Sequence, residues 1–262
     1  MALIMITGAS DGLGRALART LAAQGHQLVV HGRDERRLAE IAAATGALAV
    51  RADLSSLAGV RQLAARVGAE HDRLDVLVNN AGVGFGPAGE PRRLSPDGHE
   101  LRLAVNYLAP YLLSRLLLPL LRRATPARIV NVASIGQADV DLDNLMLEHD
   151  YDRFVAYRRA KLALIADTFD LAHDLAGSGV TVNALHPATL MPTTMVRDAG
   201  MDRVESLEDG LRATLRLVVD PALAGVTGRY FDRDHESRAR EQAYDPAFRA
   251  RLRSVTERLV GT

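Results

Sequence analysis

The sequence has no cysteine, no tryptophan, few other aromatic residues (4% in all), no excess of charge of either sign and no long apolar run. Each absence narrows what the chain can do. Without cysteine it can build neither a disulfide framework nor a thiolate metal site, which fits a reducing compartment. With 32 basic and 32 acidic residues and a pI near 7.1, it offers no broad electrostatic footprint for nucleic acid or an anionic membrane. A local basic site for a phosphate remains open. So few aromatics leave no evident stacking platform for bases, and the eight histidines show no ligand spacing for a metal. The apolar start of the chain is too short for a signal peptide. The run LLSRLLLPLL at 112–121 is about half the ~20 residues a membrane span needs, and Arg115 and Pro119 interrupt it. We read it as a buried helix segment and expect a soluble, cytoplasmic protein with no nucleic-acid, membrane or metal partner.

What is present is a regular alternation. Short apolar stretches at 3–7, 27–31, 48–51, 76–79, 128–132, 181–185 and 227–231 read as strands. Between and after them, 13–23, 35–44, 57–69, 100–121, 154–175, 207–219 and 246–260 read as helices. Strands alternating with helices imply βαβ units and a parallel sheet, and strands apolar on both faces imply helices on both sides. The expected fold is α/β, a doubly wound Rossmann-type parallel sheet forming a single domain over 1–262. Ligands on such sheets sit beyond the carboxyl ends of the strands, so the residues just after each strand carry the functional reading.

After the first strand comes Thr7-Gly8-Ala9-Ser10-Asp11-Gly12-Leu13-Gly14 and then a helix. Glycines let a backbone approach a pyrophosphate closely, and a helix N-terminus presents free N–H groups to an anion. The loop has no Gly-Lys-Ser/Thr, which argues against a nucleotide triphosphatase. The second strand ends at His31-Gly32-Arg33-Asp34. An acidic residue at the strand end suits the ribose hydroxyls of NAD, whereas an arginine suits a 2′-phosphate. Gly32 followed by Arg33 therefore favours NADP(H), and Asp34 reads as a helix N-cap.

Further along stand Asn79-Asn80-Ala81-Gly82, Asn131-Val132-Ala133-Ser134, and Tyr157-Arg158-Arg159-Ala160-Lys161 on an expected helix. Residues four apart share a helical face, so Tyr157 and Lys161 can enter one cleft. An ammonium beside a phenol favours the phenolate and should lower its pKa, bringing the tyrosine nearer to acid–base work at neutral pH.

These pieces together resemble the short-chain dehydrogenase/reductase family. TGASDGLG, Ala52-Asp53-Leu54, NNAG, Asn106 in the long fourth helix, NVAS, the Tyr-x-x-x-Lys pair and His186-Pro187 fall in the family's order, from Thr7 to about Phe231. The long gap between Ser134 and Tyr157, filled by ADVDLDNLMLEHDYDRF, and the C-terminal GVTGRYF…AYDPAFRARL resemble the retinol-dehydrogenase-like branch. The resemblance implies Tyr157 as general acid or base, Lys161 holding the nicotinamide ribose and tuning Tyr157, Ser134 bonding the substrate oxygen, and Asn106 holding a relay water. For the cofactor it implies Gly8, Ser10, Gly12, Leu13 and Gly14 at the pyrophosphate, and Asp53 and Leu54 at the adenine. Asn80, Ala81 and Gly82 would line the ribose, with Pro187 and Thr193 at the nicotinamide. Pro187-Ala188 departs from the family's usual Pro-Gly, and Thr189 competes with Thr193. Tyr151 lacks a lysine four residues on, since Val155 stands there.

Residues of about 188–210 should form a substrate lid. Met191, Met195, Val196, Met201 and Val204 point to a bulky apolar small molecule, methionine being adaptable to irregular apolar shapes. The leading expectation is an NADP(H)-dependent ketoreductase or alcohol dehydrogenase, a homodimer or homotetramer if the two long helices serve as its interface. The alternatives are an isomerase or dehydratase on the same fold, and a non-enzymatic dinucleotide-sensing regulator, which would tolerate loss of the tyrosine.

Overall fold

A stretch such as Leu3-Ile4-Met5-Ile6 has no polar face to turn to water, so as a strand it must be covered on both sides. In the computed structural model, which describes residues 1–261, β1 (Leu3–Ile6) is buried at every position. The other strands are β2 (Gln27–Gly32), β3 (Leu48–Arg51), β4 (Val76–Asn79), β5 (Ala127–Val132), β6 (Val180–His186), β7 (Arg229–Asp232) and β8 (His235–Ser237). Among the described residues they form one sheet in the order β3-β2-β1-β4-β5-β6-β7-β8. All neighbouring pairs are parallel except β7 with β8. The winding reverses between β1 and β4, which puts the topological switch point at their carboxyl ends.

The helices are α1 (Gly12–Ala23), α2 (Glu35–Thr45), α3 (Leu57–Glu70), α4 (Leu101–Leu103), α5 (Ala109–Arg123), α6 (Arg153–Asp174), α7 (Thr194–Asp198), α8 (Leu207–Val219) and α9 (Pro246–Val260). Alternate residues of each strand feed two cores. Ile4, Ile6, Val30 and Val78 pack with Leu13, Leu17 and Leu21 of α1 and Leu217 of α8. Met5, Val29, Leu77 and Ile129 pack with Leu63 of α3, Leu113 and Leu117 of α5, Ile165 of α6 and Leu252 of α9.

Three features depart from the expected pattern. The fourth helix is continuous over Leu101–Arg123 but contains a π-helical turn, Ala104–Leu108, between α4 and α5. It is long and apolar enough to cross a membrane, yet 78% of its most apolar window is buried inside the fold. The edge strand β8 was not anticipated, because His-Glu-Ser has no apolar alternation and a short polar strand is what a sheet edge tolerates. Within the segment expected as a lid, α7 adds one short helix that no apolar periodicity announces.

Candidate active site

The residues singled out in the sequence converge on one edge of the sheet, beyond the carboxyl ends of β1 to β6. At the switch point the glycine loop is fastened from two directions. Thr7 Oγ1 accepts from the amides of Asn80 and Ala81, both at 3.0 Å, and Asn80 Nδ2 donates to the carbonyls of Thr7 at 2.8 Å and Gly8 at 3.2 Å. Asn80 thus holds the loop's shape. A side chain on Gly14 would meet the Gly8 carbonyl oxygen at 2.3 Å and Asn80 Nδ2 at 2.5 Å, so only glycine lets α1 start this close to the loop. Asp11 caps α1 by accepting from the Gly12 amide at 2.8 Å. The amides of the first helical turn have no helical acceptor of their own, and the site therefore fits a pyrophosphate.

His31 is a residue that the sequence reading passed over. It is 2% exposed; its Nδ1 accepts from the Gly8 amide at 3.2 Å, and its Nε2 faces the Ala52 carbonyl at 3.1 Å. Burial pushes its pKa down to about 4, so it is a neutral tie between the glycine loop and the end of β3. Arg33, just past β2, is exposed, and Asp34 caps α2 by accepting from the Arg37 amide at 2.9 Å. Asp53 is exposed beyond β3, while Leu54 is buried in the core.

The tyrosine and lysine of α6 enter the same recess as Ser134 at the end of β5. Tyr157, Ser134 and Lys161 are 9%, 8% and 3% exposed. Lys161 Nζ donates to the Val132 carbonyl at 2.8 Å and lies 5.8 Å from the Tyr157 ring centre. Burial lowers its pKa to about 8. The Tyr157 phenol moves opposite to expectation: burial pushes it above its ordinary value, and the Ser134 hydroxyl opposes that only in part. Desolvation in the packed recess thus sets the direction of the shift. Ser134 Oγ accepts from the Gly136 amide at 3.0 Å, and its carbonyl accepts from the Tyr230 hydroxyl at 3.1 Å. One signal was overlooked: Lys161 is the only lysine in the chain, every other basic residue of that count being arginine.

Asn106 lies in the π turn and is 1% exposed. Its Oδ1 accepts from the Val83 amide at 2.8 Å and its Nδ2 donates to the Val83 carbonyl at 2.9 Å. This pairing ties the Asn106 side chain to the loop after β4. A side chain on Gly82 would meet both Asn106 Oδ1 (3.1 Å) and Lys161 Nζ (3.7 Å), so Gly82 keeps the floor of the recess open. Phe85 stacks edge-on against Tyr157, with ring centres 4.6 Å apart, and lies 4.8 Å from Phe154.

Past β6, Pro187 leads into the expected lid. The two competing threonines separate here. Thr189 is held by the His186 ring at 3.1 Å and by Glu205 and Arg233. Thr193 lies over the glycine loop, its Cγ2 2.9 Å from where a Gly12 side chain would begin. The Thr194 hydroxyl donates to Asp11, and Met195 packs over Gly84.

The family model for short chain dehydrogenase matches residues 2–203. Retinol dehydrogenase 13 of Mus musculus is 34% identical over 98% of this chain and 83% of its own. The chain belongs to the short-chain dehydrogenase/reductase family. Its likeness is to the retinol-dehydrogenase branch, and it is a dehydrogenase/reductase on a fold that binds a nicotinamide dinucleotide. Two solved structures are similar over most of the chain. The Pseudomonas aeruginosa RhlG/NADP active-site complex is 30% identical, covering 89% of this chain and 94% of its own, with a TM-score of 0.71. The 3-ketoacyl-(acyl-carrier-protein) reductase of Brucella melitensis complexed with NADH is 27% identical, covering 89% and 98%, with a TM-score of 0.72. One neighbour holds NADP and the other NADH, so the choice between them falls to this chain's own residues.

Proposed function

We propose that the protein reduces the carbonyl of an apolar ketone or aldehyde, or oxidises the corresponding alcohol, with NADP(H) as its partner. The observation that carries this reading is the convergence of Ser134, Tyr157 and Lys161 in one buried recess beside the glycine loop. The cofactor, when bound, supplies or accepts the hydride. Ser134 Oγ orients the substrate oxygen and donates to it where negative charge develops. Tyr157 gives its proton to that oxygen in reduction and takes it back in oxidation. Lys161, its pKa lowered to about 8 by burial, holds the nicotinamide ribose, and its ammonium favours the phenolate that Tyr157 becomes on giving up its proton. Asn106 fixes the loop at Val83 that borders this recess.

Gly8, Ser10, Gly12, Leu13 and Gly14 would receive the pyrophosphate, Asp53 and Leu54 the adenine, Asn80, Ala81 and Gly82 the adjacent ribose, and Pro187 and Thr193 the nicotinamide. Arg33 carries the preference for NADP(H): it stands at the strand end where a 2′-phosphate would lie, and its planar fork suits that group. Met195 and the rest of 188–210 would cover an apolar substrate. A cytoplasmic location is part of the proposal, and the burial of the Leu101–Arg123 helix in the fold argues against that helix as a membrane anchor.

The test is to titrate the pure protein with NADPH and with NADH and then assay a panel of apolar ketones and aldehydes at the nicotinamide absorbance. Tighter NADPH binding with turnover supports the proposal. Cofactor binding with no turnover of any carbonyl replaces it with a dinucleotide-sensing regulator.

A further inference from the structure

Arg102, on α4, is completely buried, and the proposed chemistry makes no use of it. Its guanidinium is nonetheless saturated. Nε donates to the Gly84 carbonyl at 2.9 Å, and NH2 donates to the Phe85 carbonyl at 2.5 Å and to Glu90 Oε2 at 2.7 Å. NH1 donates to the Tyr151 hydroxyl at 2.7 Å and to Glu100 Oε1 at 3.4 Å. A guanidinium has five donors, and all five are placed. Two of their acceptors are consecutive main-chain carbonyls of the loop after β4. The next carbonyl in that loop, Gly86, accepts from Arg153. The packing tolerates no side chain at Gly86, where one would begin 1.9 Å from Glu90 Oε2.

A loop held at three successive carbonyls has little freedom to place its side chains elsewhere. The one aromatic side chain in this grip, Phe85, is stacked on Tyr157. Tyr151 belongs to the long segment between Ser134 and Tyr157. Its hydroxyl meets Arg102 and Glu100, while Arg153 of the same segment reaches the loop directly at Gly86.

We infer that Arg102 and Tyr151 are positioning residues that hold Phe85 against the Tyr157 ring, and that Phe85 is thereby a specificity-determining wall of the substrate recess. The inference rests on the proposed function for its meaning in turnover, but not for its test. Removing Arg102 would leave Glu90 and Glu100 beside an empty site and endanger folding. Tyr151→Phe is gentler, since it deletes a single hydroxyl.

The direct readout is the ring spectrum of the six tyrosines in protein labelled with 13C at tyrosine, recorded without substrate, with Tyr157 assigned by its loss in Tyr157→Phe. Phe85→Leu should move the Tyr157 signal, because the neighbouring ring current is gone. Tyr151→Phe should move the same signal in the same direction by a smaller amount. In turnover, each single variant should raise KM several-fold with a smaller change in kcat. The double variant should be no worse than Phe85→Leu alone, since residues acting through one another are not additive. A Tyr157 signal unmoved by Tyr151→Phe, with only the Tm lowered, would overturn the inference and leave the cluster a structural ion pair. If no carbonyl is turned over but the Tyr157 signal moves as stated, the positioning holds and the proposed function fails.

Discussion

Arg102 and Lys161 are both buried cations, 0% and 3% exposed, yet they are built in opposite ways. Arg102 spends every donor on the protein, whereas Lys161 has one hydrogen bond, to the Val132 carbonyl. Arginine keeps its charge in any environment and offers a rigid fork, so it suits a permanent joint; lysine's amine shifts its pKa when buried. Two carboxylates lie against Arg102. None lies within ion-pair distance of Lys161 among the described residues, and burial acts on it unopposed. A saturated charge fixes structure, and an unsaturated one keeps donors free for a ligand.

The largest expected effect bears on the unsaturated side. Tyr157→Phe should lower turnover by about 10²- to 10⁴-fold, the range for losing a positioned proton donor. NADPH binding, followed by fluorescence titration, should stay within a few-fold. Next comes Arg102→Met, which strands the buried Glu100 carboxylate and the partly buried Glu90 and should destabilise the fold by about 3–5 kcal/mol in denaturant unfolding. Lys161→Met strands no carboxylate and should not destabilise at pH 7. The third effect is the pH dependence that Lys161 brings to stability. Folding lowers the Lys161 pKa from 10.5 to about 8, so between these values the unfolded chain binds more protons. Stability should therefore rise with pH across this window, by at most about 3 kcal/mol. Lys161→Met should remove that rise, as unfolding curves from pH 7.5 to 10 would reveal. The smallest effect is at the cofactor: Arg33→Ala should weaken NADPH about 10- to 100-fold, the worth of hydrogen bonds to a charged group, and NADH far less. Equal losses would remove Arg33 from the 2′-phosphate.

The contrast also explains what the sequence could disclose. Ser134, Tyr157 and Lys161 were legible because each lies at a strand end or at a helical spacing of four, which are local patterns. The doubly wound sheet was legible for the same reason, from its alternating strands and helices. The Arg102 joint was not, because its partners lie at 84, 85, 90, 100 and 151 with no shared period. Tyr151 could be read only as a tyrosine without a lysine, and Asn106 only by resemblance, since nothing in Ala-Val-Asn-Tyr-Leu announces a π turn or a pairing with Val83. The sign of the Tyr157 shift was misjudged because burial is a property of the packed recess and not of the residue four positions away.

The most direct test of the account is transfer of deuterium from NADPH labelled at C4 of the nicotinamide to an apolar aldehyde or ketone. Deuterium is expected on the carbinol carbon of the product, and that transfer should be lost in Tyr157→Phe while the cofactor still binds. Undiminished transfer in Tyr157→Phe, or cofactor binding without any transfer in the native protein, would contradict it.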